Sequence, residues 1–331
     1  SYTGLPGPVR RLFRLLGLVP GPDVSRDGVA ALFGGASSDV GPLLDRLVSA
    51  HLVGRAAVAG SERFALHDLL RLYAVERGRA EDPPADRAAA SRRLYDWYLH
   101  SADATARVLG PEKLRLGVPV LPAGIRPAAF DGPADTLAWL DAERHNLRAA
   151  VQTIVAGPDA DSTADSDAPT AWLLSDALRG YYSHRMFTVD WVVVAGAAVT
   201  AARSAGDLPG QAAARLSLAD ADNRRSRYGP AIENYRAALA LMEQAGWVRG
   251  QAAVLGNLGV ACRQAGRLAA AEEYFGRALA INARTGWVAG TAANLVVLGR
   301  VLLEQGRFRD AEQCHLEALT LCHNVDRTQE T

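Results

Sequence analysis

Apolar and polar positions in the C-terminal half of the chain repeat with a period of forty residues. The repeated pairs are Trp247 and Trp287, Gly250 and Gly290, Leu258 and Leu298, Gly259 and Gly299, Gly266 and Gly306, Arg267 and Arg307, Ala271 and Ala311, Glu272 and Glu312, Ala278 and Ala318, and Leu279 and Leu319. A fixed period of this length indicates stacked helical units, none of which can bury its apolar face alone. It predicts four helical hairpins, at residues 171–204, 209–245, 249–285 and 289–323.

Small residues occupy the places where the two helices of each predicted hairpin must approach closely. Gly259 and Gly299 lie in the first helices, and alanines recur in the second. Gly266 and Gly306 follow the first helices, where a left-handed C-cap favours glycine. This pattern resembles the tetratricopeptide repeat, with a unit longer than the usual length of about 34 residues. The resemblance implies a right-handed α-solenoid over residues 171–331, whose first unit, with Arg179 at a glycine position, is expected to be a degenerate cap.

The first eighty residues show shorter amphipathic patterns. They predict helices from Val9 to Leu16, Ser25 to Phe33 and Asp39 to Ala50, strands at 52–58 and 63–66 around a turn at 59–61, and a helix over 69–79. Ser25, Asp39 and Asp68 are the predicted N-caps. Three helices followed by a hairpin outline a winged-helix domain over residues 1–80, so the fold is predicted to be mostly α with one small β-hairpin.

Residues 81–170 are predicted to connect this domain to the repeats. Helices are expected over 87–109 and 135–155, separated by a proline-rich stretch at 110–132 that should run extended over a neighbouring surface. Residues 157–169 form an acidic run of small residues, which predicts a mobile linker without a site. Its acidic residues are Asp159, Asp161, Asp165 and Asp167.

The balance of charge argues against a nucleic-acid-binding surface. The 36 Lys and Arg residues equal the 36 Asp and Glu residues in number, so the chain lacks the basic field that draws proteins to nucleic acid or anionic membrane. Three cysteines at spacings that match no disulfide framework indicate a reducing compartment. Because no signal peptide and no apolar run of about 18 residues is present, we expect a cytoplasmic protein without membrane contact.

The sequence also lacks the patterns that catalysis and metal binding require. No nucleophile elbow, metallohydrolase helix or paired carboxylates are recognisable, so we expect no enzymatic activity. Cys314–His315 and Cys322–His323 lie eight residues apart, which is about 12 Å along a helix and too far for one tetrahedral ion. His315 shares its register position with Tyr235 and Phe275, which indicates a packing role.

Two further segments carry a resemblance that covers nearly the whole chain. Residues 64–74 read FALHDLLRLYA, and residues 139–147 read WLDAERHNL. Together with the winged-helix outline and the repeats, they resemble the C-terminal part of bacterial antibiotic regulatory proteins of the STAND class, SARP-type transcriptional regulators that combine an NB-ARC NTPase module with tetratricopeptide repeats. Leu66 replaces the methionine of the family's Met-His-Asp segment, a volume-conserving change.

The resemblance implies a role for His67 and Asp68 in nucleotide contact. In that family the histidine contacts the phosphates of bound ADP and helps to lock the resting state. The family's phosphate loop has no counterpart here, since the one lysine, Lys113, is not in a glycine-rich loop. We therefore expect a chain that begins after the NTPase core, carries no cofactor itself, and acts on ADP or ATP only with that core present. The alternative is that His67 and Asp68 form only a polar helix start.

The repeats are expected to bind a protein, peptide or small signal on their inner face. Its predicted residues, located by register, are Asp176, His184, Asp220, Asn223, Arg224, Asn257, Arg263, Gln264, Arg300 and Glu304. These groups are equally compatible with a solvated helix face. We predict the sensing half of a signal-dependent transcriptional regulator, with the winged helix controlling the NTPase core. The alternatives are a passive protein-interaction scaffold and direct DNA binding by the winged helix.

Overall fold

The computed structural model describes residues 2–58, 61–111, 113–157 and 167–329, and the chain is mostly helical, as the sequence predicts. The helices are α1 (Gly7–Leu16), α2 (Arg26–Phe33), α3 (Ser37–Ser49), α4 (Asp68–Glu81), α5 (Pro84–Leu109), α6 (Pro133–Ala156), α7 (Ala168–Arg185), α8 (Thr188–Ser204), α9 (Leu208–Arg224), α10 (Tyr228–Gln244), α11 (Val248–Gln264), α12 (Leu268–Thr285), α13 (Val288–Glu304) and α14 (Phe308–Gln329). The strands are β1 (Val24–Ser25), β2 (Gly54–Val58) and β3 (Ser61–Ala65).

The chain folds into two compact units. The first comprises Ser1–Lys113 and Gly117–Arg185, and the second comprises Leu114–Leu116 and Met186–Thr331. The division therefore falls within the first predicted hairpin, between α7 and α8. Helix α7 belongs to the first unit because it packs against α5 and α6 there.

The N-terminal module, residues 2–81, combines helices α1 to α4 with a small sheet. Strands β1, β3 and β2 are antiparallel in that order, so that Phe64 of β3 faces Val24 on one side and Arg55 on the other. The hairpin of β2 and β3 was predicted, whereas the two-residue strand β1 was not. Ala59 and Gly60, in the predicted turn, lie outside the described residues.

The helix starts of this module agree only in part with the predicted N-caps. Ser25 is confirmed, since its hydroxyl oxygen accepts a hydrogen bond from the N–H of Gly28 at 3.2 Å. The prediction for Asp39 was wrong, because α3 begins two residues earlier and Asp39 lies inside its first turn. From there its carboxylate accepts a hydrogen bond from the backbone N–H of the N-cap residue Ala36 at 3.0 Å. Asp39 therefore stabilises the start of α3 from within its first turn.

Between the long helices α5 and α6, the described residues of the proline-rich stretch, 113–132, form no helix or strand, as predicted. The N–H of Ala128 donates to the Ser101 hydroxyl at 3.0 Å, and the Phe130 ring meets Trp139 edge-on with centroids 5.7 Å apart. In the predicted acidic linker, Asp167 accepts a hydrogen bond from Arg92. The other acidic positions, Asp159, Asp161 and Asp165, lie outside the described residues.

The second unit is a regular array in which a left-handed residue ends a helix every twenty positions. These residues are Met186, Gly206, Ser226, Gly246, Gly266, Gly286 and Gly306, with φ between 57° and 78°. After α11, for example, the N–H of Arg267 donates to the carbonyl of Cys262 at 2.8 Å, which is the bond of a Schellman C-cap. The predicted left-handed caps at Gly266 and Gly306 are therefore confirmed.

In α11 and α13 glycine is required at one position because an aromatic ring of the second helix lies against the backbone there. A Cβ added to Gly259 would lie 2.6 Å from the Phe275 ring, and one added to Gly299 would lie 2.6 Å from the His315 ring. His315 thus packs where Phe275 packs one repeat earlier, as its register predicts. This close approach explains why the glycines recur at the forty-residue period.

We predict that Gly259→Ala destabilises the protein by about 1–3 kcal/mol, because the new methyl group overlaps a ring that cannot move freely in a packed core. The matched control is Gly276→Ala in α12, where nothing lies within 4 Å of the added atom. This control should be neutral or stabilising by up to about 1 kcal/mol, because alanine favours the helix. Urea unfolding of the two variants measures the difference, and equal effects would contradict the packing argument.

Candidate functional site

The first candidate site is the start of α4, where the sequence places His67 and Asp68. Strand β3 ends at Ala65, the side chain of Leu66 is buried, and His67 is the extended N-cap residue of α4. The prediction that Asp68 is the N-cap was wrong, because Asp68 is already the first helical residue and no side chain caps this helix. Both His67 and Asp68 are exposed, so their polar groups are accessible from solvent.

Two large apolar side chains are exposed in the first half of α4. Leu69 is 72% exposed and Leu72 is 67% exposed, directly after the His67–Asp68 pair. The buried residues of this helix are the small Ala74 and Gly78, on the side that packs against α1. An ordinary amphipathic surface helix buries its large apolar side chains, and contiguous exposed apolar groups mark interaction surfaces.

Arg71 joins the first turn of α4 to the loop before β1. Its guanidinium group donates to the carbonyl of Val19 at 2.6 Å and to that of Pro22 at 3.2 Å. Burial lowers the pKa of Arg71, and the charges of Asp68 and Asp23 oppose that effect. Helix α4 is thereby held to this loop by hydrogen bonds.

A buried group of charged and polar residues, which we call the Arg63 cluster, joins the N-terminal module to α6. It consists of Arg63, Asp23, Glu143 and Asn146. Arg63 is bidentate to the Glu143 carboxylate, and its Nε and Nη2 atoms donate to Asp23 Oδ1 at 2.9 and 2.5 Å. Asn146 Nδ2 donates to Glu143 Oε2 at 2.6 Å. Burial opposes the charge of Arg63, but the hydrogen bonds and charges of Glu143 and Asp23 together outweigh burial, so the pKa of Arg63 is raised.

Two residues of the Arg63 cluster come from the segment WLDAERHNL that carried the family resemblance. Glu143 is fully buried and Asn146 is 1% exposed. Their partners Arg63 and Asp23 lie at least eighty positions earlier, so sequence reasoning missed the cluster. A charged and an amide residue at 143 and 146, on the same helix face as the apolar Leu140, Leu147 and Ala150, were the available signal.

The second candidate site is the layer formed by the first helices of the repeats in the second unit. Helix α11 contacts both α9 and α13, so the three helices form a continuous surface. Asp220 lies on α9, where its Oδ1 accepts hydrogen bonds from the Tyr235 hydroxyl at 2.7 Å and from Asn257 Nδ2 at 3.1 Å. Two of the predicted inner-face residues are thus brought together across neighbouring repeats.

A second pair of predicted residues also meets on this layer. Arg263 of α11 forms an ion pair with Glu304 of α13 at 2.6 Å. Arg224, Gln264 and Arg300 are exposed, and Asn223 is half-buried. The layer therefore presents arginine guanidinium groups to solvent beside pairs that link one repeat to the next.

The two remaining predicted residues lie on α7, in the first unit. Asp176 is 3% exposed and its carboxylate lies 3.9 Å from Arg179. His184 is exposed near the end of the helix. Burial of Asp176 follows from the packing of α7 against α5 and α6, which a register drawn from the later repeats does not reveal.

Apolar residues that the sequence reasoning passed over also lie on the layer of first helices. Val260 occupies the register position of Asp220 and Arg300, and Val297 occupies that of Asn257. Both valines are half-buried. The surface therefore offers apolar contacts between its polar groups, as peptide-binding surfaces do. Their positions in the forty-residue repeat would have been enough to predict that these two valines lie on the layer.

Metal sites and membrane-spanning helices are two further classes of feature that a regulatory protein can carry. In the part of the chain that the structure describes, no group of three or more His, Cys, Asp or Glu side chains could hold a metal ion. No helix among the described residues has the length and apolar character that crossing a membrane requires.

Comparison with known proteins identifies the class of repeat in the second unit. Residues 250–323 match the tetratricopeptide repeat family, so the segment from α11 to the body of α14 consists of repeats of this class. A STAND protein with a tetratricopeptide repeat sensor from Pyrococcus horikoshii is 13% identical, with a TM-score of 0.44, over 99% of this chain and 53% of that chain.

The particular relatives are bacterial regulatory proteins. The regulatory protein AfsR of Streptomyces coelicolor is 31% identical over 251 residues, which are 73% of this chain and 24% of that protein. AfsR of Streptomyces griseus is 32% identical over 230 residues, 69% of this chain and 22% of that protein. The chain thus spans less than a quarter of the length of the curated relatives it matches.

Proposed function

We propose that this chain is the sensing and regulatory part of a signal-dependent transcriptional regulator that acts in the cytoplasm. The repeats bind a protein, peptide or small signal on their first-helix layer. The N-terminal module is a winged helix of the NB-ARC type and controls a separate NTPase core by closing on its nucleotide or releasing it. The chain itself performs no reaction. The similarity to regulatory proteins named AfsR supports this assignment.

One observation carries the proposed link to an NTPase core. Large apolar side chains, Leu69 and Leu72, are exposed directly beside the exposed His67 and Asp68. Exposing two leucines on one helix face forgoes the free energy that their burial would contribute, about 1.5–3 kcal/mol each when complete. A protein surface that covers them would bring its own bound ligand next to His67.

The residues at the start of α4 fit a phosphate group in ADP. The imidazole of His67 can donate a hydrogen bond to a phosphate oxygen, and the first N–H groups of a helix favour anions. Asp68 carries a negative charge in the same turn and already interacts favourably with the helix dipole. We therefore assign the phosphate contact to His67 and a neighbouring, orienting role to Asp68.

We expect His67→Ala to weaken ADP binding about tenfold to a hundredfold when the chain is joined to an NTPase core, because one charge-assisted hydrogen bond is lost. Isothermal titration with ADP measures the affinity. The control is His145→Ala, which removes an exposed histidine from α6 and should leave the affinity unchanged. Unchanged affinity in the His67 variant would favour a passive scaffold.

A scaffold is the second candidate function, and a specific observation favours it. Several polar groups of the first-helix layer already bind one another across repeats, as Asp220 binds Asn257 and Arg263 binds Glu304. Such pairs stabilise the array whether or not a partner is present. The exposed guanidinium groups of Arg224 and Arg300 distinguish the two functions, since paired donors of this kind recognise carboxylates.

The partner-binding proposal predicts that removing three arginines from the first helices abolishes capture of the partner by the immobilised full chain, because the donors to its acidic groups are lost. Removing three exposed arginines from second helices should leave capture intact. Quantitative mass spectrometry of the captured proteins measures the result, and equal losses in both variants would contradict the proposed binding face. The substituted residues are Arg224, Arg263 and Arg300 in the first variant and Arg277, Arg284 and Arg309 in the control, each changed to alanine.

A further inference from the structure

The Arg63 cluster requires an explanation beyond stability. Arg63 is 2% exposed and Glu143 is fully buried, so both charges have lost most of their hydration. Well-packed apolar residues in place of a buried ion pair are often equally stabilising. The charges instead fix the relative position of the elements they join, because a bidentate pair with further hydrogen bonds can form in only one arrangement.

The cluster holds the loop before β1 against α6. Asp23, at the end of this loop, binds Arg63. A Cβ added to Gly21 would lie 1.7 Å from Asn146 Oδ1, so the loop backbone rests directly on the Asn146 side chain. Any displacement of α6 must therefore move this loop or break its contacts.

The same loop is bound to the start of α4. Arg71 donates to the carbonyls of Val19 and Pro22, on either side of Gly21. The N–H of Arg71 donates to the carbonyl of His67 at 2.8 Å, within the first helical turn. His67 also follows Arg63 of β3 by four residues in sequence, two residues past the end of the strand at Ala65. Two connections, one through the loop and one through the strand, thus run from the cluster to His67.

On its other side, α6 is bound to α7. Asp141 accepts a hydrogen bond from the Tyr181 hydroxyl at 2.7 Å and pairs with Arg185 at 2.5 Å. Asp141 and Glu143 are two residues apart, which corresponds to about 200° around a helix. Helix α6 therefore uses opposite sides to contact α7 and the N-terminal module.

We propose that Glu143 is a positioning residue, through which α6 sets the position of His67 by way of the Arg63 cluster, so that a displacement of α7 changes what His67 can contact. The proposal rests on the proposed function in one respect, that His67 is the nucleotide contact. The contact that such coupling would change is that of α6 with the loop before β1.

The test compares Glu143→Gln with Asp82→Asn in the full chain. Asp82 forms a bidentate ion pair with Arg14, at 2.6 and 2.7 Å, at the other end of α4. Amide hydrogen exchange by mass spectrometry follows residues 67–74, and urea unfolding records global stability. We expect Glu143→Gln to accelerate exchange over 67–74 by about tenfold or more, because Arg63 loses the buried negative charge and one of the two acceptor oxygens of the bidentate pair. Asp82→Asn should leave exchange over 67–74 within about twofold, since its opening is confined to the distal end.

A milder variant acts on the α7 side of the proposed route. Asp141→Asn removes the Arg185 ion pair from a partly exposed position and should accelerate exchange over 67–74 by about threefold. This variant decides the question if Glu143→Gln does not fold.

The proposal is overturned if exchange over 67–74 is unchanged in Glu143→Gln, or if Asp82→Asn accelerates it equally at matched stability. Unchanged exchange in Asp141→Asn would also overturn it. The measurement needs neither nucleotide nor NTPase core. An exchange effect without any effect of His67→Ala on ADP binding would therefore refute the proposed function while leaving the positioning role intact.

Discussion

The buried guanidinium group of Arg63 is the constraint on which the first unit depends. A charge removed from water must be compensated by partners with fixed geometry, and Arg63 finds them in a loop residue, Asp23, and a helix residue, Glu143. These bonds determine where α6 lies relative to the sheet. The start of α4, which carries His67, and the contact of α6 with α7 follow from that placement.

The second unit rests on a different constraint, the close approach of two helices within each repeat. Rings such as Phe275 lie against backbone that only glycine leaves accessible, and left-handed residues end the helices at equal spacing. Because both features require particular residues at a fixed period, the sequence alone predicted the hairpins of this unit with nearly correct boundaries.

Other features depend on contacts that no local pattern reports. The partners of Arg63 are distant in sequence, so the cluster could not be foreseen from spacing, although the WLDAERHNL segment that supplies Glu143 and Asn146 was singled out by resemblance. Asp39 and Asp68 were wrongly predicted as N-caps because a carboxylate can stabilise a helix start either as the N-cap or from within the first turn. His67 and Asp68 were predicted as candidates, but their exposure beside Leu69 and Leu72 became visible only in the structure.

The candidate inner face combines structure and recognition in the same residues. Hydrogen bonds such as that from Asn257 to Asp220 tie neighbouring repeats together, while the exposed Arg224 and Arg300 remain accessible to a partner. A register predicts which positions face the same way, but it does not reveal which side chains bind one another. That distinction separates the residues that stabilise the array from those available for binding.

A double-mutant cycle on Arg63→Met and Glu143→Leu tests the central claim most directly, with the free energy of unfolding in urea as the measured quantity. Each single substitution should destabilise the full chain by about 3–5 kcal/mol, because it breaks the buried ion pair and leaves the remaining charge without its buried partner. The double variant should be far less destabilised than the sum of the two, since neither buried charge remains and the carboxylate of Asp23 is partly exposed. Additive effects, or single effects below about 1 kcal/mol, would contradict the claim that this ion pair holds the N-terminal module to the connector.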